Sequence, residues 1–235
     1  MQISAKLKLA AKCTIILTER EVWRFHYLRR QRLSRLTHMK KLSKLFKLIL
    51  YTLVVVSLYE EIFANGDLRL GAFMFFTFQI NTLLALDLFL ALVIPRHYRA
   101  KSLFRGTILV SIIMTGIIYN FVLYNIFQDW GTVGYTFPRT VLHVVTPIGY
   151  LIDWLLFDKH GYMKWKDLRV WLAYPLVYCF AAIFVAIYFN FYIYSFFSIS
   201  YGYTPLIIWI SIFLCAFIFV SLLVVSADKK LKLSS

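Results

Sequence analysis

The sequence predicts an all-α polytopic membrane protein: a bundle of six transmembrane helices with both termini in the cytoplasm. Three observations carry that reading. Six apolar segments follow one another, each near the ~20 residues a helix needs to cross ~30 Å of hydrocarbon. The chain is 61% hydrophobic and 16% charged, with a mean hydropathy of +0.71, whereas soluble domains are near half apolar and about a quarter charged. Lys and Arg fall 24 on one side of the segments and 2 on the other. Nothing resembles a Gly- or Ser-rich linker. The expected organisation is a basic stretch 1–47, one six-helix domain 48–227 and a short basic tail 228–235.

Residues 1–47 carry thirteen Lys or Arg against Glu19 and Glu21. The run Leu7 to Thr18 is too short, and too interrupted by lysine, for a span or an ordinary signal peptide. Arg29, Arg30, Arg32, Arg35, Lys40, Lys41 and Lys44 alternate with Leu and Phe. That pattern suits a helix lying on anionic lipid headgroups, or simply a basic segment retained inside the cell. No base-reading motif is present, so nucleic acid is not an expected partner.

The six spans are Leu48–Ala64, Phe73–Ile94, Gly106–Phe127, Thr140–Phe157, Trp171–Ile193 and Leu206–Ala227. They are apolar all round rather than alternating, which selects helices over a barrel. Orientation follows from the basic residues. Those of 1–47, of the 95–105 and 158–170 loops and of the tail lie on one side, and only Arg69 and Arg139 on the other. The 194–205 loop is uncharged and is expected outside. Trp130, Tyr135, Trp165, Trp171 and Tyr174 fall beside span ends, where aromatic rings favour the interface.

The three cysteines, Cys13, Cys179 and Cys215, form no CxxC and read as small packing residues. Among the histidines only His143 is embedded in a span, which argues against a haem held between two of them. There is no Gly-rich phosphate loop, GxSxG or HExxH. Neither a metal nor another cofactor is expected.

An ionisable group inside a span is costly, and function is the first hypothesis for it. The fourth span holds two, His143 and Asp153. Entering from outside, His143 and Thr77 each lie about one turn below the start of their spans. A threonine hydroxyl becomes nucleophilic when a neighbouring base takes its proton, and neutral histidine is the usual base near pH 7. The structural alternatives are a Thr77 bond back to its own helix, and a His143 bond across to Asn120 or Tyr119. Asp87 and Asp153 each lie ten residues, about 15 Å, further in and ~80° around the helix. They are expected to be structural or pathway residues, with Asp153 pairing with Lys or Arg of the inner loops. An acid orienting His143 would instead be Glu60, Glu61 or Asp129. Gln79, Asn81, Tyr119 and Asn120 are candidates to bind substrate or to hold helices together.

The run His143-Val144-Val145-Thr146-Pro147, followed by Leu151-Ile152-Asp153-Trp154-Leu155-Leu156-Phe157, resembles the signature of bacterial six-span membrane proteins. These are related to the androgen-induced and androgen-dependent proteins of animals. Phe76-Thr77-Phe78-Gln79-Ile80-Asn81, Thr115-Gly116-Ile117-Ile118-Tyr119-Asn120 and Trp171-Leu172-Ala173-Tyr174-Pro175-Leu176-Val177-Tyr178 extend the likeness over roughly residues 45–230. Asp153-Trp154 departs from the animal pattern. The resemblance implies a multipass hydrolase of fatty-acid esters of hydroxy fatty acids, in a bacterial cell membrane, with a threonine and a histidine at Thr77 and His143. The competing expectation is a non-enzymatic membrane protein, a small transporter or a partner-binding subunit, with Thr77, Asn81, Asp87, His143 and Asp153 along a polar path.

Overall fold

The computed structural model describes residues 19–63, 67–94, 102–124, 136–200 and 202–234. It is helical throughout, without a strand among the described residues. The six helices are α1 (Glu19–Ile62), α2 (Phe76–Val93), α3 (Ser102–Ile117), α4 (Phe137–Phe157), α5 (Leu168–Phe189) and α6 (Tyr203–Ser234). Each contains a stretch long and apolar enough to cross a membrane. Two π-helical turns interrupt the regular winding, Ile118–Leu123 extending α3 and Val141–Val145 within α4.

The helix ends differ from the expected span ends for local reasons. The first apolar stretch is longer than expected, Thr37–Ile62, because the Lys- and Leu-rich residues before 48 are good helix formers and nothing breaks the run. Helix α5 stops before Ile193: Asn190 adopts a left-handed φ of 48°, a conformation Asn tolerates better than most residues. The expected tail is the end of α6, which continues to Ser234.

The chain divides into two compact units, Met1–Ser43 and Lys44–Ser235. In the first, Arg24, Arg29, Arg30, Lys40 and Lys41 are exposed, as are Tyr27, Leu28, Met39 and Leu42. In the second, α3 is the central helix and packs against α2, α4, α5 and α6. Its Ile108, Leu109, Val110, Ile112 and Met114 are wholly buried. Gly106 lets α5 close on it: a Cβ there would lie 2.2 Å from the ring of Trp171. The outer face of α5 exposes Val177, Phe180, Tyr188 and Phe189, as a lipid-facing surface does. Residues 190–200, which end the expected fifth span and begin the expected outside loop 194–205, fold back onto the bundle, burying Ile193, Phe196 and Phe197 against Ala182 and Leu206.

Buried charge ties four helices together at the other end. Arg105 at the start of α3 donates from Nη1 to Asp87 of α2 (2.6 Å), from Nη2 to Asp153 of α4, and from Nε to Asp158 (2.8 Å). Tyr150 lies under the guanidinium, 4.0 Å from its ring centre, and donates its hydroxyl to Asp87 at 2.8 Å. Lys47 of α1 pairs with Asp153. A planar guanidinium is suited to this, because its three nitrogens can serve three carboxylates at once. Asp153 thus pairs with basic residues of the inner side, as its depth suggested. Nearby, Asp228 of α6 is 1% exposed and accepts the N–H groups of Gly161 and Met163, both at 2.9 Å. The turn after α4 is therefore pinned to α6.

Removing Arg105 leaves two buried carboxylates, Asp87 and Asp153, and the partly buried Asp158 without their shared partner. Arg105→Met should lower unfolding stability by about 3–5 kcal/mol, read as a loss of folded protein on heating in detergent, with Arg105→Lys restoring only part. The charge bias gives a second test. With the native cysteines replaced, the exposed positions Thr204→Cys and Lys159→Cys should differ. An impermeant maleimide applied to intact cells should label the first and spare the second.

Candidate functional site

At the opposite end of α2 from Asp87, the chain turns through a short 3-10 segment, Leu70–Met74, and α2 begins at Phe76. Thr77 therefore sits in the first helical turn. Its hydroxyl does not bond back along its own helix as those of Thr52, Thr82, Thr107, Thr115 and Thr146 do. Beside it stands the phenol of Tyr194, in the folded-back segment after α5. The same phenol oxygen accepts the Phe76 N–H at 3.2 Å and interacts with the Tyr178 hydroxyl. Tyr194 lies against Phe75, Phe196 and Phe197. Burial there pushes its phenol above the ordinary range, so it stays protonated.

Thr77 and Tyr194 line an apolar cavity of about 750 Å³, counting its open mouth. Its walls come from α2, α3, α5, α6 and the folded-back segment, with Phe76, Phe196, Phe197, Phe213 and Phe217 prominent. Tyr119 lines it too. Gln79, Asn81, Asn120 and His143 are not among its lining residues. Gln79 accepts from Tyr174 at 3.0 Å and donates to Phe73 O at 2.8 Å, which ties α5 to the start of α2.

Asn81 brings the turns of Thr77 and His143 together. Its amide nitrogen donates to Thr77 O (2.9 Å) and to Leu142 O of α4 (3.2 Å). Its amide oxygen accepts the Thr146 hydroxyl at 2.8 Å. The two turns thus lie side by side at one level, as their positions in the sequence implied. Their side chains point to different partners, however, and no hydrogen bond joins Thr77 to His143 among the described residues.

The surroundings of His143 follow from Pro147. Proline has no N–H, so the carbonyl four residues earlier, His143 O, loses its helical donor. Asn120 supplies one from α3 at 3.0 Å, and its amide also donates to Gly116 O at 2.7 Å. Gly116 makes the approach possible, since a Cβ there would lie 3.1 Å from Pro147. Both π turns sit at this crossing, and each carries one of a stacked pair: the rings of Tyr119 and His143 lie 3.6 Å apart. Such turns often mark functional positions. The imidazole Nδ1 contacts Arg139 O at 2.8 Å. A carbonyl can only accept, so Nδ1 carries the proton of the neutral ring and Nε2 keeps its lone pair.

The group that orients His143 is therefore a backbone carbonyl. Of the acids considered from the sequence, Glu61 pairs with the Arg139 guanidinium at 3.6 Å. Asp129, Trp130 and Tyr135 lie outside the described residues. Sequence reasoning missed Tyr194, whose only signal was an aromatic, uncharged segment between two spans. It also missed Thr146 as the partner of Asn81, although Thr146 stands inside the fourth-span motif. Comparison with protein-family models, curated proteins and solved structures finds no match to this chain.

Asn81 serves α2 and α4 at once. Asn81→Leu should cost about 1–3 kcal/mol of stability, because it leaves Leu142 O and the Thr146 hydroxyl without that partner in a dry interior. Thermal unfolding in detergent measures it.

Proposed function

We propose that this chain is an intramembrane hydrolase of a lipid-like ester, with Thr77 as nucleophile and His143 as base. The observation that carries the reading is the place of Thr77. Its hydroxyl stands on the wall of an apolar cavity, while its helical turn lies against the turn of His143 through Asn81. The fourth-span motif and its family resemblance supply the substrate class, fatty-acid esters of hydroxy fatty acids, and the setting, a bacterial cell membrane. Anionic headgroups are the proposed partner of the exposed basic residues before the first span.

The chemistry is acyl transfer through a covalent intermediate. The acyl chain lies among the phenylalanines and the ester stands at Thr77. Thr77 Oγ attacks the carbonyl carbon as its proton passes to His143 Nε2. The tetrahedral intermediate then expels the alcohol, which takes that proton. Water, deprotonated by the same nitrogen, hydrolyses the acyl-threonine. Tyr119 stacks on the imidazole and also lines the cavity, so it is the side chain that base and cavity share.

A second reading is favoured by the absence of a Thr77–His143 hydrogen bond: a membrane protein that binds an amphiphile in the cavity without cleaving it. The polar-path version has less support, since the deep acids Asp87 and Asp153 are engaged by Arg105 and Lys47. Purified chain treated with an acylating lipid-ester probe separates the two. Hydrolysis predicts labelling at Thr77, with Thr77→Ala and His143→Ala each lowering turnover about a thousandfold or more, and the double variant little further. Labelling that persists in Thr77→Ala removes the nucleophile, and an unlabelled, inactive parent leaves the binding protein.

A further inference from the structure

The cavity contains several polar groups, and their hydrogen bonds sort them. The Thr115 hydroxyl donates to Ser111 O at 3.0 Å. The Tyr178 hydroxyl donates to Met74 O at 2.9 Å. Tyr119 is stacked on His143. Tyr194 differs. Its oxygen accepts the Phe76 N–H at 3.2 Å, and its neighbours in the cavity wall are two hydroxyl groups, those of Thr77 and Tyr178. A hydroxyl oxygen is easily replaced as acceptor by a carbonyl, and the N–H behind the phenol polarises it toward giving its proton.

We propose that Tyr194 is the hydrogen-bond donor that receives the carbonyl oxygen of the ligand in this cavity. The assignment rests on the hydrolase reading only in naming that carbonyl an ester. Geometry supplies the reason. A carbonyl carbon in line for attack lies about 3–3.5 Å from Thr77 Oγ, and its oxygen is only about 1.2 Å from that carbon. That oxygen therefore comes within reach of a donor that sits on the N–H of Phe76, next to Thr77, in the same cavity wall. Burial keeps the phenol protonated. A donor so placed holds the ground-state carbonyl and gains strength as negative charge develops on the oxygen. The ligand class follows: a single-chain amphiphile whose carbonyl meets Tyr194 while its chain lies among Phe196, Phe197, Phe213 and Phe217.

A long-chain methyl ketone labelled with 13C at the carbonyl tests this without turnover, because a ketone has no ester bond to break. Infrared spectra of the full chain repurified with bound ketone should show the carbonyl band shifted to the red of its position in empty detergent micelles. Tyr194→Phe should return the band to the micelle position and reduce the copurified ketone about fivefold. Tyr194→3-fluorotyrosine, a stronger donor of nearly the same size, should move it further to the red, which keeps the test sharp if the phenylalanine variant folds poorly. An unshifted band in the parent, a parent that retains no ketone, or a full red shift in Tyr194→Phe overturns the assignment. Labelling of Thr77 by the ester probe would stand in each of those cases, so this proposal and the hydrolase reading fail separately.

Discussion

The guanidinium of Arg105 is the constraint on which the rest of the bundle depends. A lone cation or carboxylate inside a membrane protein is costly, and the cost is offset here only when Asp87, Asp153 and Asp158 meet the same group in good geometry. That requirement sets the register of three helices. Thr77 is ten residues from Asp87 on α2, and His143 ten residues from Asp153 on α4. Two helices locked level at their acids remain level about 15 Å further along. The ionic layer therefore does more than stabilise. It determines that the hydroxyl turn and the imidazole turn arrive side by side, where Asn81 joins them.

At the far end the same helices depart from regular winding. Pro147 releases a carbonyl, Gly116 lets α3 close on it, and Asn120 fills the gap. The two π turns at this crossing carry Tyr119 and His143, whose rings form one stack. Each departure from ideal winding is matched by a side-chain hydrogen bond, so the distortion is held rather than free. The cavity beside it is built from a different resource, aromatic area supplied by α5, α6 and the segment between them.

Much of this was legible in the chain. Six spans followed from continuous apolar runs, since in lipid every backbone group must be satisfied within its own helix. The roles of Asp87 and Asp153 followed from depth, which is a property of one helix at a time. What could not be read were the meetings between elements. The offset of Asp153 argued for a basic partner but could not choose Arg105 and Lys47. The π turns lie beside the close approach of Gly116 and Pro147, which are thirty-one positions apart. Tyr194 was hidden because an uncharged aromatic loop reads the same whether it stays at the interface or folds inward. The side-chain directions of Thr77 and His143 were likewise set by neighbours, Tyr194 and Tyr119, that no periodicity reveals.

The pinning of the inner turn to Asp228, beside the Arg105 layer, makes the bundle mechanically lopsided. One end is cross-linked by multivalent charge, whose desolvation penalty shrinks on warming. The other relies on ring contacts, hydrogen bonds between neutral groups and the partly exposed Glu61–Arg139 pair. Warming is therefore expected to loosen the bundle as a fan opens from its rivet, first around the cavity, while the riveted end keeps the helices in register.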